Sequence, residues 1–282
     1  MPVCASGGAR KAGGLCVVAA GMAVVALCPA LLAVPSAAAA RTRPAHVSAA
    51  GAGGTWGKAE QVPGTAALNQ GGHAVTLSVS CAAAGDCSAV GYSTPSASSV
   101  VAKAFVVTES GGRWGKAEEV LGSAAFNSSG ATVDSVSCAA AGDCSAGGSA
   151  GQQAFVVNQT GGRWGTAEQV PGTAALNKGG GAAVGSVSCA AAGRCSAGGY
   201  YENGSLFMQP FVVNETGGTW GRAEQVPGTA ALNKGGFAQI VSVSCAAAGR
   251  CGAGGLYASG IVNGRPVTQA FIVSETTSDK AH

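Results

Sequence analysis

The sequence predicts an all-β domain, a single β-propeller of four four-stranded blades, and three observations lead to this fold class. One stretch, approximately WGxAEQVPGTAALNxGG, occurs four times, beginning at Trp56, Trp114, Trp164 and Trp220. Each copy continues into a segment close to SVSCAAAGxCSAGG and then into a β-rich segment close to AFVV. Repeats of 50 to 58 residues that contain several short strands are typical of propeller blades.

Each repeat contains four segments with strand character, separated by turn signals. In the second repeat these are Val133 to Cys138, Cys144 to Gly148, Ala154 to Asn158 and Trp164 to Val170. Short runs of β-branched and aromatic residues between Gly-rich turns predict an up-and-down antiparallel sheet. A parallel β-helix is the main structural alternative, although its repeats are usually shorter.

The two ends of the repeat array are complementary. The first copy lacks its own AFVV segment, and the last copy ends at Phe271 to Val273 with no Trp segment after it. We therefore expect Trp56 to Val62 to be the outer strand of the blade formed by Ser242 to Val273. This pairing would close the ring within one chain. An open array that another chain completes is a second possibility.

Eight cysteines form four pairs with the same spacing, one pair in each repeat. An even number at fixed spacing predicts disulfides in an exported chain, one in each blade. The few histidines of the chain offer no partners for a zinc site, and five intervening residues do not fit a redox motif. The expected pairs are Cys81 with Cys87, Cys138 with Cys144, Cys189 with Cys195, and Cys245 with Cys251.

The first 40 residues have the order of a secretory signal peptide. Arg10 and Lys11 precede an apolar run from Leu15 to Val34, and Ser36 to Ala40 offers an Ala-x-Ala cleavage site. An uncleaved membrane anchor is the alternative, because 20 apolar residues could cross a bilayer. We expect residues 41–51 to be a short flexible segment, 52–276 to be the propeller and 277–282 to be a disordered tail. The mature chain would then be secreted, without stable membrane insertion.

Charge and composition exclude several classes of function. The chain has 16 Lys and Arg against 13 Asp and Glu, and two of these 16 lie in the signal segment. The remaining balance is close to neutral, which does not favour nucleic-acid binding. No cofactor and no metal site is expected, and the sequence leaves the oligomeric state open.

The repeats resemble those of uncharacterised actinobacterial secreted β-propeller proteins, on the SVSC…C segment, the Gly-rich strand after it and the Gly-Gly-x-Trp turn. The Glu/Gln-Thr-Gly-Gly-x-Trp turn is also similar to a degenerate Asp-box of sialidase-type propellers. The Asp of that box is replaced by Glu109, Gln159 and Glu215, and Gly51 stands there in the first copy. The resemblance implies the propeller fold over nearly all of residues 52–276. It implies little about activity.

The repeats differ mainly in the loop between their second and third strands. We expect this loop to run from Tyr92 to Lys103, Ser149 to Gln152, Tyr200 to Met208 and Tyr257 to Gln269 in the four blades. Variable loops on a rigid scaffold often carry function, and tyrosines suit sugar stacking or protein contact. The alternative is loop drift after duplication. The candidate binding residues on these loops are Tyr92, Tyr200, Tyr201, Glu202, Tyr257 and Arg265.

Two further repeated positions have a functional and a structural interpretation. The linker asparagines could form a ring of amides around a polar axial site, or they could stabilise turns, since Asn before Gly bonds its own backbone. The turn residues Asp86, Asp143, Arg194 and Arg250 could orient a partner, or they could be solvated positions with drifted charge. The linker asparagines are Asn69, Asn127, Asn177 and Asn233.

No catalytic constellation is recognisable. Four glutamates recur on the outer strand, where they would not converge as a glycosidase pair must. We therefore expect a secreted, non-enzymatic binding module that recognises an extracellular glycan or protein. A degenerate sialidase-like glycoside hydrolase or lyase and a structural cell-envelope protein are the alternatives. The recurring glutamates are Glu60, Glu118, Glu168 and Glu224.

Overall fold

The computed structural model describes residues 54–70, 72–99, 101–126 and 130–276. The predicted signal peptide, the segment 41–51 and the tail 277–282 lie outside these residues. All strands of the described residues lie within residues 58–282, which form one compact unit. Within the described residues, no helix is long and apolar enough to cross a membrane.

Four antiparallel sheets follow one another along the chain, one for each sequence repeat. The first contains β1 (Ala74–Ala83), β2 (Asp86–Ser93), β3 (Lys103–Ser110), β4 (Arg113–Trp114) and β5 (Glu118–Glu119). The second contains β6 (Ala131–Ala140), β7 (Asp143–Ala150), β8 (Gln153–Thr160), β9 (Arg163–Trp164) and β10 (Glu168–Gln169). The third contains β11 (Ala182–Ala191), β12 (Arg194–Glu202), β13 (Met208–Thr216), β14 (Thr219–Trp220) and β15 (Glu224–Gln225). The fourth contains β16 (Ala238–Ala247), β17 (Arg250–Val262) and β18 (Arg265–Ser274).

These bounds confirm the predicted all-β class and the antiparallel order of strands in each repeat. The fourth predicted strand is present as two short pieces in the first three sheets, both paired to the third long strand. One helical turn precedes the first strand of each sheet, and in the second to fourth sheets it follows the outer pieces of the sheet before. These turns are α1 (Thr65–Leu68), the 3₁₀ turn Ser123–Ala125, α2 (Thr173–Leu176) and α3 (Thr229–Leu232).

All four predicted disulfides are formed within their own repeats. Each joins the first and second strands of a sheet, where the two cysteines stand directly opposite each other. Their Cα atoms are 3.9 to 4.0 Å apart, closer than the usual separation of about 5.5 Å. Directly opposed residues of an antiparallel pair are close enough for such a bridge.

The core lies between the sheets, with one apolar cluster at each junction. Val106 of the first sheet packs in the same cluster as Phe155 of the second, and Val156 of the second packs with Phe211 of the third. Phe155 and Phe211 are fully buried. Burial of one such side chain contributes about 1.5 to 3 kcal/mol, so a single Phe in each sheet accounts for much of each junction.

Serines of the first strand in each of the first three sheets join it to the next sheet. Ser78 Oγ and Ser80 Oγ accept hydrogen bonds from the N–H groups of Val136 (3.2 Å) and Cys138 (3.0 Å). The same pair of bonds recurs between β6 and β11 and between β11 and β16, at 2.9 to 3.0 Å. The Ser-Val-Ser-Cys repeat is therefore explained: valine fills the junction and serine satisfies the edge of the neighbouring sheet.

The predicted pairing of Trp56 to Val62 with the last sheet is not formed within the chain. In the described residues, β18 pairs only with β17, and residues 54–62 form no strand. The first strands β1, β6, β11 and β16 pack in chain order, whereas β1 and β16, both described in full, do not pack on each other to a comparable extent. The four repeated sheets were predictable from local sequence, whereas the expected pairing of Trp56 to Val62 with the last sheet involves residues far apart in the chain.

Candidate binding surface

The linkers and the loops between second and third strands meet at one end of the sheets, which we call the loop end. The Asn177 side-chain amide donates to the carbonyl of Gln152 (3.2 Å), and the Gly179 N–H donates to the carbonyl of Glu202 (2.9 Å). These bonds place the α2 linker beside the loops of the second and third sheets. The α2 linker and the variable loops of the second and third sheets therefore lie together at this end.

The tyrosines lie on strands rather than on loops, which corrects the sequence interpretation. Tyr92 is in β2, Tyr200 and Tyr201 are in β12, and Tyr257 is in β17. Tyr201 is only 4% exposed and belongs to the apolar cluster between the second and third sheets. Burial raises the pKa of its hydroxyl group. Its ring face is therefore covered by protein and does not offer a stacking surface.

Tyr200 is half-buried among acidic groups. Burial raises the pKa of Tyr200, and the carboxylates of Glu202 and Asp134 raise it further. Asp134 has no partner in the β6–β7 register, because the pairing shifts by one residue between Val133 and Ser135. Burial raises the pKa of Asp134 as well, and a hydrogen bond with Thr132 lowers it. Such bulges redirect side chains, and this one places a carboxyl group near Tyr200.

Asn177 and Asn233 make side-chain hydrogen bonds to turn and strand backbone groups, whereas Asn69 Oδ1 and Asn233 Oδ1 are buried without a hydrogen-bond partner in the described residues. Asn177 Oδ1 accepts from the Gly180 N–H (3.1 Å), and the Asn233 amide donates to the carbonyl of Met208 (2.8 Å). Asn69, Asn177 and Asn233 each follow a helical turn, whereas Asn127 lies outside the described residues. The observed bonds of Asn177 and Asn233 fit the structural interpretation.

The loop predicted for Tyr257 to Gln269 is a long hairpin. β17 and β18 extend toward a two-residue turn at Asn263 and Gly264, whose φ angles are +52° and +76°. Asn-Gly favours a two-residue hairpin turn because both residues tolerate positive φ, and this signal could have been found in the sequence. Arg265 is exposed at the first position of β18, away from any described acidic partner.

The third sheet carries a short rigid loop, residues 203–207, which we call the Asn203 loop. Asn203 Oδ1 accepts from the N–H groups of Ser205 (2.9 Å) and Phe207 (3.0 Å). The Asn203 N–H donates to the Phe207 carbonyl (3.0 Å), which closes the loop. These bonds hold the side chains of Leu206, 69% exposed, and Phe207, 43% exposed, toward solvent. Leu206 has φ +60°, an uncommon conformation for a non-glycine residue.

The Asn203 loop was part of the predicted variable region, but its apolar character was not singled out. Phe207 lies against Gly236 of the following linker, where a side chain would collide with the ring. The Met208 N–H donates to the Gly236 carbonyl (3.0 Å). The loop is therefore supported by the third sheet and by the linker that leads to the fourth. Lys178 is exposed on the neighbouring linker, and Glu202 is half-buried at the end of β12.

The opposite end of the sheets carries the disulfide turns and the Gly-Gly turns. Asp86 and Asp143 accept from the N–H groups of Gly111 and Gly161, each at 3.3 Å. These bonds give the two aspartates a structural role within their own sheets. Arg194 is exposed at the corresponding turn of the third sheet. The predicted charge pattern is thus partly an effect of turn stabilisation.

A cleft of about 520 Å³ lies at this end between the second and third sheets. The Glu215 carboxylate on its wall is 4% exposed and accepts from Asn158 Nδ2 (2.5 Å) and Ser145 Oγ (3.4 Å). Burial raises the pKa of Glu215, and these two hydrogen bonds lower it. Asn158 also accepts from Trp220 Nε1 (3.1 Å), so the polar groups here join two sheets.

The described residues contain no group of three or more His, Cys, Asp and Glu side chains placed to hold a metal ion. The four recurring glutamates are exposed: Glu118, Glu168 and Glu224 lie on the outer strands of three different sheets, and Glu60 lies outside any strand. A scan against protein-family models gives no match to this chain, and a search of curated proteins gives none either. The structure alone therefore carries the functional argument.

Proposed function

We propose that the chain is a secreted, non-enzymatic binding module whose sheets are the blades of a β-propeller scaffold. The four disulfides support export, because such bonds persist in oxidising compartments. The Asn203 loop carries the proposal. The hydrogen bonds of Asn203 hold this loop in place, so Leu206 and Phe207 lose little conformational freedom when they bind.

Between the two ligand classes expected from the sequence, an extracellular protein fits the loop better than a glycan. Tyr201 is covered and Tyr200 is half-buried, so neither offers the free ring face that sugar stacking requires. The exposed groups are an aliphatic and an aromatic side chain, with an exposed lysine on the adjacent linker. A small apolar centre with polar surroundings is typical of protein interfaces.

The experiment measures binding of the fluorescently labelled chain to extracellular material from the producing organism, before and after protease or periodate treatment. Leu206→Ser/Phe207→Ser should bind at least about tenfold more weakly, because two anchor residues each contribute about 1 kcal/mol or more. Leu121→Ser is the matched control, since Leu121 is 65% exposed on a different linker. Protease should abolish binding and periodate should leave it intact. The reverse pattern indicates a glycan, and equal binding by both variants removes the site assignment.

A further inference from the structure

Among the described residues, nothing packs on the outward face of the last sheet as the next sheet packs on the equivalent faces of the other sheets. Val106 and Val156 are buried against the next sheet, whereas Ile272 at the same position of β18 is 90% exposed. Ser242 and Ser244, which correspond to Ser78 and Ser80, are exposed and accept no hydrogen bond from any described residue.

The first sheet presents the complementary surface, and no other sheet of the described residues packs on it. Val79 is 56% exposed, although Val136 at the same position of the second sheet is 5% exposed. The N–H groups of Val79 and Cys81 have no serine acceptor among the described residues, unlike those of Val136 and Cys138. The two unpartnered faces are therefore the two halves of the junction that occurs three times inside the chain.

Residues 60–62 lie where the outer strand of a preceding sheet would be. Val62 packs in a cluster with Ala89 and Phe105 of the first sheet, and the Ala117 N–H donates to the Pro63 carbonyl (2.7 Å). The equivalent bonds join Ala167 to Leu121 (2.8 Å) and Ala223 to Pro171 (2.7 Å). A cleft of about 620 Å³ separates this segment from the sheet and is lined by residues that include Glu60, Val62, Val79, Ala89 and Trp114.

We propose that two copies of this chain join head to tail, each inserting its last sheet into the cleft before the first sheet of the other. Glu60 and Gln61 would then pair with the partner's Ile272 and the partner's Phe271. This register is taken from Glu168 and Gln169, which pair with Val156 and Phe155 in the second sheet. The inference rests on the propeller scaffold and not on the Asn203 loop.

A second copy fits the observations better than the last sheet of the same chain. The described first strands pack in the order β1, β6, β11 and β16, and β1 and β16 do not pack on each other to a comparable extent. A second copy would cover both of the unpartnered faces, and each contact would repeat the sheet-to-sheet junction that occurs within the chain. Two copies supply eight sheets, the upper end of the usual range of propeller blades. Head-to-tail contacts of this kind close when the rotation per subunit allows it.

The junction between copies should be weaker than the internal ones. Ser88, Ser145 and Ser196 each contact a cysteine sulfur of the next sheet, at 3.1 to 3.4 Å. Gly252 stands at this position in the last sheet, so the contact is missing where the two copies meet. We therefore expect the dimer to dissociate on dilution while each chain stays folded.

The first test measures the molar mass of the full, oxidised chain by size-exclusion chromatography with light scattering over a range of concentrations. We expect twice the mass of one chain at high concentration. Ile272→Asp should reduce the mass to that of one chain, and Ile261→Asp should not. Ile261 is a matched control because it is 62% exposed and lies on the hairpin extension that the other sheets lack. A single-chain mass for the wild type, an assembly larger than two, or a dimer insensitive to Ile272→Asp overturns the proposal.

The second test separates pairing between copies from closure within a chain. Glu60→Cys and Ile272→Cys are introduced into different chains, which are mixed and oxidised. A covalent species of two chains, absent when either variant is oxidised alone, supports the head-to-tail register. If the chain is a dimer but the mixed Glu60→Cys and Ile272→Cys variants do not cross-link, the two copies contact each other through another surface. If only the double variant Glu60→Cys/Ile272→Cys cross-links, and does so within one chain, closure is intramolecular: the dimer is excluded and the propeller scaffold stands.

Discussion

The strands β8 and β18 have almost the same sequence but different environments. Ala154 to Val157 reads Ala-Phe-Val-Val and Ala270 to Val273 reads Ala-Phe-Ile-Val. Val156 is fully buried between two sheets, whereas Ile272 is 90% exposed. The strand sequence therefore determines that a sheet forms, and the neighbouring sheet determines whether the apolar face of that strand is covered.

The largest expected effect comes from placing a charge at these two equivalent positions. Val156→Asp should lower the free energy of unfolding by more than about 4 kcal/mol, because it buries an unpaired carboxylate. Ile272→Asp should change the free energy of unfolding by less than about 0.5 kcal/mol when the chain is kept monomeric by dilution. Urea unfolding with intact disulfides measures both. Similar losses in the two variants would show that the face of β18 is covered within the chain.

The difference between these strands also explains what the sequence could predict. The strand segments, the disulfides and the Gly-Gly turns depend on residues close together in each repeat, and these predictions are confirmed. Glycines with positive φ, such as Gly142 and Gly162, stand at the predicted turns. The pairing of Trp56 to Val62 depends on residues at opposite ends of the chain, and sequence periodicity cannot say which copy supplies them.

The candidate site was less predictable than the fold. The sequence predicts an exposed binding residue at Tyr201, but its ring fills the apolar cluster between two sheets. An alternating strand pattern does not show which face of the strand the next sheet covers. The exposed position of Leu206 depends on the hydrogen bonds of Asn203, which composition does not reveal. The Asn263–Gly264 pair is typical of a two-residue hairpin turn, although the sequence prediction places these residues in a loop.

A smaller effect is expected from the serines that join the sheets. Ser135→Ala removes the acceptor of the Val187 N–H (3.0 Å) and should cost about 1 kcal/mol of unfolding free energy. Ser242→Ala should cost almost no unfolding free energy when it is combined with Ile272→Asp, which keeps the chain monomeric. Thermal unfolding of both variants gives the comparison. An equal cost would indicate that Ser242 already has an acceptor role inside the chain.

The smallest effect concerns the buried polar groups of an internal junction. Glu215 stands where the second sheet has Gln159, and both residues bond to the preceding sheet: Asn158 donates to Glu215, and Gln159 donates to Thr108 (2.7 Å). An amide is thus accommodated at this position. Because burial raises the pKa of Glu215, ionisation is harder in the folded than in the unfolded chain.

The sign of the pH dependence follows from this shift. Below the unfolded pKa of about 4.3 the group is protonated in both states and costs nothing. As the pH rises toward the folded pKa, the unfolded chain loses its proton first, and stability falls. Glu215→Gln should therefore raise Tm at pH 7, and this gain should disappear below about pH 4. The exposed Glu224→Gln serves as the control. A lower Tm for Glu215→Gln at pH 7 would mean that the hydrogen bonds from Asn158 and Ser145 to the charged carboxylate outweigh its loss of hydration.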